Sequence, residues 1–254
     1  MNITKLSWAG VMVDDGSTKL LIDPLGGTNE ELEQVVGKSR EAIQSFDTLP
    51  EVDAILITHI HHDHFDPKSI MKRYGKSVPI FAPHLVTEAI GHKGFIQVNG
   101  FQIGEKRKIG TLEITAVESM DGFGFPQVAW LVDKDGRKLL HAGDTLWHGY
   151  WWTIAKKYGP IDIACLPING AVLTLPPHYA STLQEACMTP EQAVEAAHIL
   201  NVQTLIPIHY GTFHEPPRYC ETENALERLT RAAGNRGVHL SILEPLEIFP
   251  QLTS

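Results

Sequence analysis

Short apolar runs bounded by turn residues alternate with helical patterns along the whole chain of 254 residues. Apolar runs of this kind predict buried strands, whereas apolar positions three and four residues apart predict amphipathic helices. The predicted strands are residues 4–8, 10–13, 19–22, 54–57, 78–82, 161–166 and 204–207. The predicted helices are residues 29–46, 67–74, 190–200 and 221–233.

Two hairpins interrupt this alternation in the middle of the chain. Residues 101–117 alternate around Gly110, and residues 127–132 face residues 137–141 across an Asp-Gly tight-turn signal. Hairpins first and strand-helix units later predict an α/β protein with layered mixed sheets and helices outside. No linker-like segment or shift in composition divides the chain, so we expect one domain over residues 1–254.

Composition narrows the class of partner. Hydrophobic residues make up 43% of the chain, which suffices for a large core. Thirty acidic against 21 basic residues leave a net charge of -9, so electrostatic binding to nucleic acid or to an anionic membrane is disfavoured. The first residues lack the order of a secretion signal and no apolar run reaches membrane-spanning length, so we expect a cytoplasmic protein.

Three cysteines carry little chemical signal. Cys165, Cys187 and Cys220 are odd in number and widely spaced, which suits neither a disulfide framework nor a zinc knuckle. We expect them to be small buried residues.

Histidine is concentrated in one segment. Residues 58–64 read Thr-His-Ile-His-His-Asp-His, directly after the strand at 54–57 and before Pro67. His59 and His61, two apart in extended backbone, project to the same side, and the turn that follows can direct Asp63 and His64 to a neighbouring point. Two adjacent metal ions fit this arrangement better than one. A chance match to His-x-His-x-Asp-His has odds of about 2 in a thousand over the chain, and the alternative is a solvated polar turn.

The segment resembles the T-H-x-H-x-D-H signature of the metallo-β-lactamase superfamily of metal-dependent hydrolases. Residues 21–24 (Leu-Ile-Asp-Pro), 140–145 (Leu-His-Ala-Gly-Asp-Thr) and 206–211 (Ile-Pro-Ile-His-Tyr-Gly) resemble the family's other motifs in the family's order. Residues 188–193 and 207–213 are most similar to the subgroup that includes L-ascorbate-6-phosphate lactonase. The resemblance implies a four-layer αββα sandwich with two divalent metal ions at the sheet ends.

The resemblance also implies a role for each matching residue. The first metal ion would be held by His59 and His61, and the second by Asp63, His64 and His209. Asp144 would bridge the two ions, and Asp23 would orient the loop that carries the ligands.

One position departs from the family pattern. The family has a histidine after the strand that corresponds to residues 112–117, but this chain reads Glu-Ser-Met-Asp-Gly at 118–122. We expect Asp121 to take that place, with an oxygen ligand that suits zinc and also favours manganese or iron. The alternative is that Asp121 only begins a glycine-rich turn, which would leave the first metal weakly held or absent. His148 and His178 are less favoured substitutes.

The implied activity is hydrolysis of a small ester, lactone or related molecule by water activated between two divalent ions, zinc first and manganese or iron as alternatives. Asp144 and Asp63 would offset the charge of the ions, and Asp63 or His148 would pass a proton to the leaving group. The bond that is cleaved cannot be read from the fold family. Two alternatives remain open: a phosphodiesterase or nuclease, which the net charge disfavours, and a non-catalytic metal-binding protein if the first site is incomplete.

An aromatic segment follows Asp144. Trp147, Tyr150, Trp151 and Trp152 could form a wall of a substrate pocket, but the favoured interpretation is helix core or an interface in a homo-oligomer. Residues 122–126 and 175–180 are loop-like, and such loops either carry specificity or serve as plain connections.

Overall fold

The computed structural model describes residues 1–174 and 183–249, and within them two large β-sheets lie face to face. The first sheet contains β1 (Asn2–Lys5), β2 (Val11–Asp14), β3 (Lys19–Ile22), β4 (Ala54–Leu56), β5 (Ile80–Pro83), β6 (Val98–Phe101) and β15 (Ile248–Phe249). Their order across the sheet is β15-β1-β2-β3-β4-β5-β6, with β3 to β6 parallel.

The second sheet contains β7 (Lys106–Ile109), β8 (Leu112–Glu118), β9 (Val128–Lys134), β10 (Arg137–His141), β11 (Ile163–Pro167) and β13 (Thr204–Ile208). Their order is β13-β11-β10-β9-β8-β7, with β10, β11 and β13 parallel. A small separate sheet pairs β12 (Val172–Leu173) with β14 (Tyr219–Cys220). Both hairpins predicted from the sequence are present, as β7 with β8 and as β9 with β10.

Side-chain alternation decides what each face of a strand buries. In β3, Leu20 and Ile22 belong to the cluster between the sheets, whereas Leu21 packs on the opposite, outer face. In β10, Leu139 points into the same central cluster and Leu140 points outward. Each sheet therefore needs a second layer on its outer face.

Helices supply those outer layers. The α-helices of the described residues are α1 (Glu30–Val36), α2 (Pro67–Tyr74), α3 (Thr87–His92), α4 (Tyr150–Tyr158), α5 (Pro190–Leu200) and α6 (Ala225–Arg236), of which α1 instead packs Leu32 and Val36 against the central cluster. Side chains of α2 and α3 join the outer cluster of the first sheet, and those of α4, α5 and α6 join that of the second. The predicted four-layer αββα sandwich is confirmed. Among the described helices, none combines the length and apolar character needed to span a bilayer.

Two predicted elements were too long. The predicted helix at 29–46 is helical only over Glu30–Val36, because Gly37 adopts a φ of 84° and the Arg40 amide turns away to the Thr212 carbonyl, 2.9 Å distant. The predicted strand at 4–8 ends at Lys5, where residues 6–10 close a tight turn. That turn brings Trp8 toward the strand ends.

The cysteines are all free. Cys165 and Cys187 are buried as predicted, and Cys220 is only partly buried in β14.

Candidate metal centre

Polar residues follow several strands at one edge of the sandwich. Asp23 follows β3, Thr58 and His59 follow β4, Asp144 follows β10, and His209 follows β13. Carboxyl ends of parallel neighbours share one sheet edge, so the topology brings these side chains together. Gly143 allows the two sheets' loops to approach, because a Cβ there would lie 2.8 Å from Thr58 Oγ1.

Four predicted ligands form a first group whose ligand atoms lie within 4.8 Å of one another: His59, His61, Asp121 and Asp144. His59 Nε2 is 3.0 Å from His61 Nδ1 and 3.5 Å from Asp144 Oδ1. His61 Nδ1 is 3.6 Å from Asp121 Oδ1. Two imidazoles and two carboxylates thus converge on one point.

A second group contains Asp63, His64 and His209. Asp63 Oδ2 lies 3.3 Å from His209 Nε2 and 3.6 Å from His64 Nε2. Asp144 connects the groups, since its Oδ1 faces His59 and its Oδ2 lies 4.0 Å from His64 Nε2. The structure therefore brings together all seven residues that the sequence nominated as ligands.

Asp23 holds the ligand loop at residues 58–64 through hydrogen bonds. Its Oδ1 accepts the Thr58 amide at 2.7 Å, and its Oδ2 accepts the Thr58 hydroxyl at 2.5 Å and His64 Nδ1 at 2.8 Å. Because the Thr58 hydroxyl donates to Asp23, it accepts from His59 Nδ1, 3.0 Å away. His59 and His64 therefore each use Nδ1 for a hydrogen bond and turn Nε2 toward the cluster. In metal sites, a hydrogen bond at one ring nitrogen orients a histidine that binds the metal through the other.

Asp121 combines the two roles that the sequence presented as alternatives. Its Oδ2 accepts the backbone amides of Phe123 at 2.7 Å and Phe125 at 2.9 Å, as expected of a residue that begins a turn. Its Oδ1 is buried, has no hydrogen-bond partner and faces His61. The turn-forming and ligand-presenting geometries coexist in one carboxylate.

The site contains a concentration of unpaired buried atoms. His64 Nε2, Asp121 Oδ1, Asp144 Oδ1 and His209 Nε2 have no hydrogen-bond partner. Leaving a buried polar atom unpaired costs about 1–3 kcal/mol, so four such atoms in one cluster are best explained by a ligand that pairs with all of them. Imidazole and carboxylate are donors for zinc, manganese and iron, and the residues present fit a divalent metal.

The ionisation of the cluster follows from burial and mutual charge. Burial lowers the pKa of His59 well below its usual range and that of His209 to about 4, so both are neutral. Burial raises the pKa of Asp144 well above its usual range. Burial would also raise the pKa of Asp63, but His64 and His209 hold it well below the usual value, while Asp63 and Asp23 outweigh the opposing effect of burial and raise the pKa of His64 to about 10.

Trp8 is a site residue that the sequence did not reveal. Its indole Nε1 donates to Asp63 Oδ2 at 2.9 Å, and its ring lies 4.0 Å from that of His209. Trp8, Asp23 and His209 all have positive φ angles, of 59°, 46° and 57°. Such backbone is uncommon outside glycine and concentrates at functional sites. Nothing local in the sequence marks Trp8.

A second unpredicted set lies behind His209. Cys187 Sγ is 3.9 Å from His209 Nδ1 and donates to Asn169 Oδ1, whose amide nitrogen donates to the Tyr219 hydroxyl at 2.6 Å. Burial raises the pKa values of Cys187 and Tyr219 well above their usual ranges. Both groups are therefore neutral, and Cys187 packs beside the cluster as a thiol.

His148, one of the two substitute ligands, is in neither of these groups. His148 is buried and stacks on Trp151 with ring centroids 4.1 Å apart, and among the described residues no ligand group includes it. Burial lowers its pKa to about 4. His148 is a core histidine. His178 lies outside the described residues.

A cavity of about 350 Å³ opens directly onto the cluster, with His61, His62, Asp63, Asp144 and His209 at its polar end. None of the aromatic residues at 147–152 contributes to its lining, so the pocket interpretation of that segment was wrong. Trp151 is fully buried in the core, as the favoured alternative predicted. Trp147 and Trp152 are exposed, and their role in an oligomer interface stays a prediction.

The family model described as "Beta-lactamase superfamily domain" matches residues 18–210. A UPF0173 metal-dependent hydrolase of Pyrococcus furiosus is 31% identical over 230 residues, which are 88% of this chain and 89% of the relative. Among solved structures, the metallo hydrolase Igni18 of Ignicoccus hospitalis has a TM-score of 0.73 at 24% identity and covers 98% of this chain and 97% of its own. An isothiocyanate hydrolase from Delia radicum gut bacteria has a TM-score of 0.77 at 19% identity, and the match covers 98% of this chain and 99% of the hydrolase. The matched motifs and the assembled cluster agree with these comparisons: the chain belongs to the metallo-β-lactamase superfamily and is a metal-dependent hydrolase.

Proposed function

We propose that the protein hydrolyses a small ester, lactone or related molecule with two divalent metal ions, zinc first and manganese or iron as alternatives. The first ion would be held by His59, His61 and Asp121, the second by Asp63, His64 and His209, with Asp144 shared. The observation that carries the proposal is the set of four buried ligand atoms without hydrogen-bond partners in one cluster. The two oxygens of Asp144, each facing a different group, support two ions over one.

When bound, divalent ions at such a site act as Lewis acids and make water a better nucleophile near neutral pH. We assign proton transfer to Asp63, because its carboxylate lies at the polar end of the cavity beside His64 and His209. Trp8 fixes the orientation of this carboxylate through Oδ2. Asp144 would offset positive charge at both groups, and His148 is disfavoured as the alternative proton donor because it stacks on Trp151 and does not line the cavity at the cluster.

The size of the site supports a small-molecule substrate. A cavity of about 350 Å³ lies at the lower end of the range for ligand pockets. The net charge of -9 supports the exclusion of nucleic acid. One cluster of buried side chains joins the inner faces of both sheets, which supports one domain over residues 1–254.

The test is metal analysis followed by a substrate panel. We expect about two metal equivalents in the purified protein and hydrolysis of a p-nitrophenyl ester or a lactone that chelation abolishes and added metal restores. The panel also contains a thioester, a phosphodiester and an isothiocyanate, the last because a fold neighbour hydrolyses that class. Turnover of the phosphodiester alone would assign the alternative activity. Less than one metal equivalent with no turnover in the panel would contradict the proposal.

The matched control is an aspartate outside the cluster. Asp47 is exposed and forms a surface ion pair with Lys72. Asp47→Ala should keep both the metal content and the turnover of the parent protein, whereas Asp144→Ala should lose both.

A further inference from the structure

Among the described residues, the walls of the cavity beside the metal cluster are mostly apolar. They include Leu32 and Val36 of α1, Phe123 and Phe125 of the loop after Asp121, and Leu173 of β12, with Ala171, Ala186, Cys187 and Tyr219 also in the lining. Leu32 and Val36 are buried even though α1 lies at the edge of the sandwich. The short helix thus contributes a wall of the cavity.

No lysine or arginine lines the cavity in the part of the chain that the structure describes. Residues 175–182, which include the predicted loop at 175–180, lie outside the described residues. Placing an unpaired charge against apolar walls costs several kcal/mol. A phosphate or carboxylate on the part of the substrate remote from the cluster would therefore find no lysine or arginine among the described lining residues.

Two large apolar side chains at the cavity mouth remain partly solvated. Phe123 is 44% and Phe125 51% exposed. The Phe125 ring lies 4.7 Å from that of His61, in edge-to-face contact, so the aromatic wall begins directly at the cluster. An apolar group that enters the cavity would remove part of both phenyl rings from water, which favours its binding.

We propose that the substrate is uncharged and carries an apolar chain or ring that fills this cavity, with the bond to be hydrolysed at the polar end. This specificity rests on the proposed function, because the polar end is taken to be where hydrolysis occurs. L-ascorbate-6-phosphate lactonase is named for a phosphorylated substrate. The cavity walls therefore separate this chain in specificity from the subgroup that its sequence resembles.

The kinetic test uses p-nitrophenyl esters with acyl chains of two to eight carbons. Each methylene buried contributes about 0.8 kcal/mol, so kcat/KM should rise about fourfold per methylene until the cavity is full. Matched esters that end in a carboxylate should react at least tenfold more slowly than their uncharged counterparts. Turnover that is independent of chain length, or faster with the charged esters, would overturn the specificity while leaving the hydrolase assignment intact.

A binding test requires neither turnover nor metal. We expect the affinity of 1-alkanols from butanol to octanol, measured by ligand-observed NMR, to rise by a similar factor per methylene, and ω-hydroxy carboxylates of equal length to bind at least tenfold more weakly. If this dependence holds and no ester is hydrolysed, the proposed function fails and the cavity specificity stands. Equal affinity across the alkanol series would overturn the specificity.

Substitutions in the cavity walls test whether the alkanols bind in this cavity. Leu173→Trp should reduce the affinity for octanol at least fivefold, because it fills the space that the longer chain occupies. Phe125→Ala, at a half-exposed position where folding is not at risk, should reduce it as well. The matched control is Leu85→Trp, since Leu85 is 68% exposed and lies outside the cavity. Equal effects of Leu85→Trp and Leu173→Trp would show that the alkanols bind elsewhere and would contradict the proposal.

Discussion

Asp121 accepts the backbone amide of Phe125 at 2.9 Å through one carboxylate oxygen, while its other oxygen is unpaired and faces His61 at 3.6 Å. One side chain therefore joins the ligand cluster to the aromatic wall of the cavity. A change at this position must affect metal binding and the shape of the substrate site together. The two effects can be separated, because only one oxygen serves each purpose.

We expect Asp121→Ala to lose one metal equivalent preferentially, since Asp63, His64 and His209 still provide the other group. Asp121→His should regain that equivalent with a preference shifted from manganese toward zinc, because imidazole is a softer donor than carboxylate. Elemental analysis of both variants measures this. An Asp121→Ala protein that retains two equivalents would rule out the carboxylate as a ligand.

The same pair of variants tests the second oxygen. Asp121→His restores a metal ligand but cannot accept both amides of Phe123 and Phe125 in the geometry of the carboxylate. We therefore expect its KM for long-chain esters to stay at least threefold above that of the parent protein even at full metal content. A KM equal to the parent value would show that the turn holds without Asp121.

Asp144→Ala should remove most of the bound metal and lower the melting temperature of the metal-loaded protein. Metal binding is coupled to folding, so the loss of a shared ligand removes stabilisation from both groups.

The metal-free forms of Asp144→Ala and of the parent protein should behave differently from the metal-loaded forms. Burial raises the pKa of Asp144, so its carboxylate contributes no stability without a cation, and chelated Asp144→Ala should melt no lower than chelated parent protein. Equal melting temperatures of the two metal-loaded proteins would contradict the shared role.

The ligand cluster could be predicted from the sequence because its members lie in short motifs at strand ends. His59, His61, Asp63 and His64 lie in one short segment, His209 directly follows β13, and Asp144 lies three residues after the end of β10. Asp121 was predicted as a ligand because it follows the strand at 112–117, where the family has a histidine. Its role in the turn was predicted as the alternative. The coexistence of both roles could not be predicted, since the direction of each carboxylate oxygen depends on the conformation of the turn.

The loop at 122–126 was predicted either to carry specificity or to serve as a connection, and its Phe123 and Phe125 line the cavity. Trp8 and the α1 wall of the cavity escaped prediction for a different reason. Trp8 reaches Asp63 across 55 residues of sequence, through a turn in which Trp8 itself, and not a glycine or asparagine, has the positive φ. Leu32 belongs to a helix whose predicted length was wrong, because the amide of Arg40 pairs with the distant carbonyl of Thr212. Such contacts are set by tertiary packing, which local patterns do not contain.

Asp23→Ala should lower the free energy of unfolding by about 3 kcal/mol, because it removes one partner of a buried charged pair with His64 and leaves the Thr58 amide unpaired. Thr58→Val removes only the hydroxyl and should cost about 1 kcal/mol. Metal affinity should fall about tenfold to a hundredfold in Asp23→Ala, since His64 loses the partner that orients it. Denaturant unfolding of the chelated proteins and metal titration measure the two effects. Equal losses in both variants would contradict the orienting role.

Lys5 supports the turn that carries Trp8. Its ammonium group is buried and donates to the carbonyl oxygens of Leu6 and Trp8, the latter at 2.6 Å. Burial lowers the pKa of Lys5 from 10.5 to about 8, and the nearby Cys165, Glu41 and Glu244 oppose this only in part. The charged form is therefore less stable in the folded protein than in the unfolded chain.

This difference in pKa predicts how stability depends on pH. Below pH 8 both states carry the proton and the full penalty of burying the charge is present. Between pH 8 and pH 10.5 the unfolded chain still binds the proton and the folded protein has lost it, so the free energy of unfolding should rise by about 1.4 kcal/mol per pH unit. The total gain is about 3 kcal/mol, after which the contribution is constant.

Lys5→Met provides the control, because other groups that titrate in this range are the same in both proteins. The difference in unfolding free energy between parent and variant, measured in denaturant across this range, should change in favour of the parent as pH rises. A difference that does not vary with pH would show that Lys5 titrates at its ordinary pKa.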